Sequence, residues 1–260
     1  MALPSIILLL AFVGGVLATS GITLVTSIGE GYFEDNERAG ALVLAASAAI
    51  AAGAAWLHWR RFMVPITVAA GAATIVGLVV ALIAWAIGDS PNQENILLGF
   101  GLVLGIGVFL FAMWWDGSDR ARLTRRSDVA FWLHLLAAPM IVHPVFTLLG
   151  LNDGTATVGE GLVVILLYVV IGLTALAIDR RALLVSALAY VLYALNKLFE
   201  QFGAVELNVA LTALVIGSSL LMLSAFWHQA RSVVVRPLPE TLRERLPRID
   251  RAAATPQPAA

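Results

Sequence analysis

Apolar residues fall along this chain in eight stretches, roughly 4–28, 40–58, 64–87, 96–115, 129–150, 161–178, 182–202 and 207–228, separated by short polar breaks. At 1.5 Å of rise per residue, each stretch is long enough to cross a bilayer as a helix. The pattern predicts an all-α fold: a polytopic membrane helix bundle of about eight transmembrane helices over residues 1–230, arranged as four hairpins. Residues 231–260 then form a basic tail, partly disordered, in which Leu242, Leu246 and Ile249 at i, i+4 and i+7 could make a short amphipathic helix interrupted by Pro247. The first stretch, SIILLLAFVGGVLA, ends in small residues as a signal peptide does. It lacks a basic leader and its apolar run continues through GITLVTSIG, so it reads as an uncleaved helix.

The polar breaks alternate in chemistry. After the even-numbered stretches come Arg60 and Arg61, then Arg120, Arg122, Arg125 and Arg126, then Arg180 and Arg181, then Arg231 and the arginines of the tail. After the odd-numbered stretches come acidic breaks that contain a single arginine, Arg38. Fourteen of the fifteen arginines thus lie on one side of an eight-span chain. The positive-inside rule makes that side cytoplasmic and puts both termini inside, with the cell inner membrane as the expected location. Tryptophan agrees, because its ring prefers the headgroup level. Trp56, Trp59, Trp114, Trp115, Trp132 and Trp227 sit at expected cytoplasmic ends and Trp85 at an outer end.

Composition sharpens the class. Hydrophobic residues make up 60% of the chain and charged residues 13%, about half the charge of an ordinary soluble domain; the mean hydropathy is +0.91. The net charge of −1 leaves no basic domain for nucleic acid. The absence of cysteine excludes disulfides, thiolate metal sites and a cysteine nucleophile. No cofactor or metal is expected, since no HExxH, GxSxG or single-face histidine cluster is present. Small residues mark close helix packing: the second stretch is nearly all alanine and glycine, the third has Ala70, Thr74, Gly77, Ala81 and Ala84 on one face, and the fourth carries Gly101 and Gly105 in GxxxG spacing.

Candidate chemistry centres on residues 182–203, which hold Lys197, the sole lysine. Ser186, Tyr190, Tyr193, Lys197 and Glu200 fall at helical spacing and make one polar stripe. Against lipid such a stripe is costly, so it should face protein or a watery cavity. In the fifth stretch His134 and His143 are nine residues apart and therefore on opposite helix faces, so they have separate roles. Pro139 and Pro144 each remove a helix hydrogen bond and are expected to kink the outer half of that span. His143 and Lys197 both lie roughly 9–11 Å below the outer boundary, and Thr23 in the first stretch, one turn after Thr19, falls at a similar depth. These residues predict a shallow outward-facing site of Thr19, Thr23, His143, Tyr190, Tyr193, Lys197 and Glu200. Snorkelling of Lys197 and bonding of the threonines to their own backbone are the simpler reading of the same residues.

The lone late lysine does not make a retinal site: Tyr193 stands where those proteins carry an aspartate one turn before the lysine, and the first six stretches have no interior acid. The arginine-ended hairpins and the RPLP run at 236–239 resemble multipass proteins of bacterial inner membranes, a resemblance that brings no activity or site residues. The expected function is binding, with translocation in view, of a small solute or ion through the outer cavity. An accessory or scaffold subunit, with membrane-protein partners or a homo-oligomer, is the alternative, and a lipid-modifying enzyme is the third reading. The lipid bilayer is the partner common to all three.

Overall fold

A computed structural model of the chain describes residues 2–29, 31–34, 36–150 and 158–180, then 184, 214, 217–218, 221–243 and 246. Among these the regular structure is entirely helical. The chain divides into two compact units, Met1–Met113 with Asp128–Leu149, and Trp114–Ser127 with Gly150–Ala260.

The first unit contains α1 (Ala2–Ile28), the single turn α2 (Gly31–Glu34), α3 (Glu37–Phe62), α4 (Ile66–Ile87), and most of α5 (Gln93–Ser118) and α6 (Arg125–Leu148). Among the described residues, five helices are long and apolar enough to cross a membrane: Pro4–Ile28, Arg38–Phe62, Ile66–Ile87, Gln93–Ser118 and Arg125–Leu148. They coincide with the first five apolar stretches and extend several of them into the charged breaks. Caps explain the extension. The Asn36 side chain accepts the Ala39 N–H at 3.1 Å and starts α3 ahead of its apolar run, a cap of about 1 kcal/mol. At the other end Arg60 and Arg61 sit in the last turn, where cations suit the helix dipole. Met63, in the left-handed region at φ 51°, closes α3 through its N–H to Trp59 O, and Pro65 then opens α4.

Small residues let these helices approach closely. Ala48, Ala51 and Ala55 of α3 and Ala69 and Ala81 of α4 are buried, and a Cβ on Gly71 would lie 3.6 Å from the Ala55 Cβ. Leu9 and Val13 of α1 complete this core with Ala51, Ala55 and Ile66. On α5, Gly101 and Gly105 both face α6. A Cβ on Gly105 would stand 2.9 Å from the Met140 Cβ and 3.0 Å from its carbonyl carbon and oxygen. Pro144 has no N–H to give the Met140 carbonyl, so Gly105 packs where proline has interrupted the ladder. Helix α6 nevertheless runs unbroken through both prolines. His134 is fully buried, edge-on to Phe109 at 5.3 Å, whereas His143 is exposed, as their half-turn separation requires. At the far end of α4, Gly88 adopts φ 61° and ψ −154° beneath the Arg38 guanidinium, a conformation open only to glycine.

The second unit contains the end of α5, the 119–124 turn, the start of α6, α7 (Val158–Ile178), α8 (Trp227–Val235) and α9 (Glu240–Arg243). Helix α7 matches the sixth apolar stretch, and its described apolar part is Leu166–Ile178. Trp227, Arg231 and Val235, four residues apart, form the buried face of α8. That shared face carries α8 across the boundary between bundle and tail drawn at residue 230.

Candidate functional site

The outward-facing site expected from the sequence is described only in part. Tyr190, Tyr193, Lys197 and Glu200 lie outside the described residues. Thr19 and Thr23 are exposed on α1, and the Thr23 hydroxyl donates to the Thr19 carbonyl at 2.8 Å. Thr26 and Ser27 likewise donate to carbonyls one turn earlier. Both threonines line an open groove of about 650 Å³ with Ala11, Phe12, Gly15 and Ile50. A second groove of about 450 Å³ runs along the neighbouring face of α1 against Gly40, Val43 and Ser47 of α3. His143 is not among the residues lining either groove, and its carbonyl accepts the Thr147 hydroxyl at 3.0 Å. The structure thus brings Thr19 and Thr23 together, in a groove whose walls are mainly apolar.

The densest polar chemistry among the described residues lies instead in the second unit, in the arginine-bearing breaks. Asp116, on the last turn of α5, is 2% exposed. Arg180 meets it with two donors, Nε to Oδ2 at 3.1 Å and Nη2 to Oδ1 at 2.5 Å, the bidentate geometry that suits guanidinium and carboxylate. Arg180 Nη2 also donates to Ser127 O at 3.0 Å. Arg122 lies 3.6 Å from Asp116 and pairs with Asp179 Oδ2 at 2.7 Å. It further donates to Ile178 O at 3.0 Å and Asp179 O at 3.2 Å, so a side chain from another segment caps the end of α7. Trp227 Nε1 donates to Asp179 Oδ1 at 2.7 Å, and Arg231 Nε stands 3.9 Å from the same oxygen.

Local backbone explains why Asp179 is where it is. The end of α7 is a Schellman turn, with Asp179 N–H bonded to Leu176 O and Arg180 N–H to Ala175 O. The turn needs a left-handed residue, commonly glycine, and Asp179 fills the place at φ 57°. Arg122 is left-handed as well, at φ 56°. Each such residue costs roughly 1–2 kcal/mol, so the two partners of this ion pair are both held in unfavourable backbone conformations by what their side chains bind.

Asp119 organises the turn between them. Its carboxylate accepts the Leu123 N–H at 3.2 Å, the Thr124 N–H at 2.8 Å and the Thr124 hydroxyl at 2.7 Å. Burial opposes its charge, but these hydrogen bonds and one from the Ser127 N–H outweigh burial and hold its pKa below the ordinary 3.8. A lowered folded pKa contributes stability that is complete above the unfolded value and is lost as pH falls through the folded one. The Leu123 and Thr124 amides should therefore stay protected from hydrogen exchange at pH 4 and lose protection only further into acid. Asp119→Asn should remove the acid-dependent step, and an unchanged profile in that variant would show that another group controls it.

The positive-inside pattern assigns Arg122, Arg180 and Arg231 to one side of the membrane and says nothing of what they bind; Arg180 and Arg231 are 7% and 2% exposed. The available signal was Asp116, Asp119 and Asp179 standing inside the arginine runs, which a tally of basic residues passes over. Trp227 is 3% exposed, and its indole N–H donates to Asp179.

Comparison with protein family models, with curated proteins and with solved structures finds no match to this chain.

Proposed function

We propose that the chain is an eight-span inner-membrane protein of four hairpins, with both termini cytoplasmic, that holds a largely apolar, membrane-soluble guest against α1. The alternation of arginine-rich and acidic breaks supports the topology. The groove of about 650 Å³ along α1 carries the binding reading, because its volume lies within the roughly 300–1,000 Å³ of small-molecule sites. Thr23 donates to its own helix, so the groove offers a guest hydrocarbon walls edged by hydroxyl oxygens rather than a coordination shell for an ion.

The site can be closed without disturbing the fold. A Cβ on Gly15 would meet nothing within 4 Å, so Gly15→Leu fills the groove without displacing a neighbour. In membranes containing a photoactivatable long-chain amphiphile, the wild type should crosslink through α1 and Gly15→Leu should lose roughly tenfold or more of that labelling. Full labelling of the variant would end this reading.

One observation favours the accessory-subunit reading as well. Ala11, Gly15, Thr19 and Thr23 recur every four residues along the groove, the spacing at which another transmembrane helix packs closely. In that case Gly15→Leu would release a co-purifying membrane protein, and the amphiphile would label neither form.

A further inference from the structure

Arg120 differs in one respect from Arg122 and Arg180. Those two bind carboxylates, whereas among the described residues Arg120 donates to main-chain carbonyls: Nη2 to Arg243 O at 3.3 Å and to Leu246 O at 3.2 Å, and Nε to Leu246 O at 3.3 Å. These bonds dock the end of the described chain on the turn that follows α5, and Leu246 is 9% exposed as a result. The docked segment turns Arg236, Leu242 and Arg243 to the surface. It therefore shows bases beside an apolar side chain while its own anchor rests on neutral acceptors.

A phosphate is a stronger partner for guanidinium than a carbonyl is, since a charged acceptor roughly doubles the strength of the hydrogen bond. We propose that Arg236–Arg243 together with Leu246 act as a strap, docked through Arg120 beside an uncharged bilayer surface and released when anionic lipid headgroups take Arg120, Arg236 and Arg243. Asp116, Asp119 and Asp179, the carboxylates around the same turn, are committed to Arg180, to the 119–124 backbone and to Arg122. The ion-paired cluster then stays closed while the strap opens. Release would present Leu242 and Leu246 to the lipid interface along with the arginines, the arrangement of an interfacial amphipathic segment. The proposal rests on this face lying at a membrane surface, but a nanodisc exposes both surfaces, so its test does not depend on which is cytoplasmic.

The chain has no cysteine, so spin labels can be placed by Ser118→Cys and Leu242→Cys, both exposed positions. In zwitterionic nanodiscs the label-to-label distance should form one narrow population. In nanodiscs containing phosphatidylglycerol a second, broader population should appear, its ratio to the first rising roughly fivefold for each arginine engaged. Arg120→Gln should give the broad population in both lipids. The pair Arg236→Gln and Arg243→Gln keeps the docking carbonyls and leaves Arg120 alone to meet the headgroups, so the rise with anionic lipid should shrink to roughly fivefold. A narrow distance in the Arg120→Gln protein would show that Arg120 does not hold the strap. A distribution indifferent to anionic lipid in the wild type would overturn the exchange itself.

Discussion

Asp116→Ala should lower the free energy of unfolding by about 3–5 kcal/mol, a loss that reversible denaturant titration in mixed micelles would register. The wild-type carboxylate takes two donors from Arg180 and lies 3.6 Å from Arg122. Its loss leaves two guanidinium groups, both at least nine-tenths buried, with Asp179 as the carboxylate that still pairs with Arg122 among the described residues. The penalty comes from stranded charge rather than from the intrinsic worth of the pair. The double replacement Asp116→Leu with Arg180→Met removes both charges together and should therefore recover most of the loss. A single-variant cost below roughly 1 kcal/mol, the range of exposed pairs, would mean that water reaches the cluster.

Gly105→Val should cost about 1–3 kcal/mol or more and push α5 away from α6. Its new methyl groups extend beyond a Cβ that already falls 2.9–3.0 Å from Met140 atoms, two of them backbone. A flexible side chain could swing aside, but a helix backbone cannot, so truncating Met140 to alanine should rescue little. Gly107 provides the control on the same helix: a Cβ there meets nothing within 4 Å, and Gly107→Val should change stability by no more than about 0.5 kcal/mol. Valine is a better helix former than glycine, so equal losses at the two positions would show that contact with Met140 is not what sets the cost at Gly105.

The candidate site was legible only where chemistry follows local order. Thr19 and Thr23 are four residues apart and share a helix face whatever surrounds them, and His134 and His143 must oppose one another for the same reason. The charged cluster has no such local rule. Asp116, Arg122, Asp179, Arg180 and Arg231 span 116 residues of chain, as their numbers show, and the positive-inside pattern explains an arginine at a helix end equally well whether it is solvated or buried. Asp179 carried a quiet signal, an aspartate where a helix ending would take glycine, but it becomes interpretable only once Arg122 and Trp227 are seen on its carboxylate.

The amino-acid sequence by itself determined the helices, because long uninterrupted apolar runs in lipid must satisfy every backbone group internally, and a helix does this within one segment. It also marked the small-residue faces on which α3, α4 and α5 pack. Tertiary structure alone decided which arginines are anchors and which are buried partners, that Gly105 meets the carbonyl beside Pro144, and that Arg120 reaches the backbone at 243 and 246. Those outcomes depend on side chains meeting from distant segments, where direction and distance select the partner, and composition carries neither.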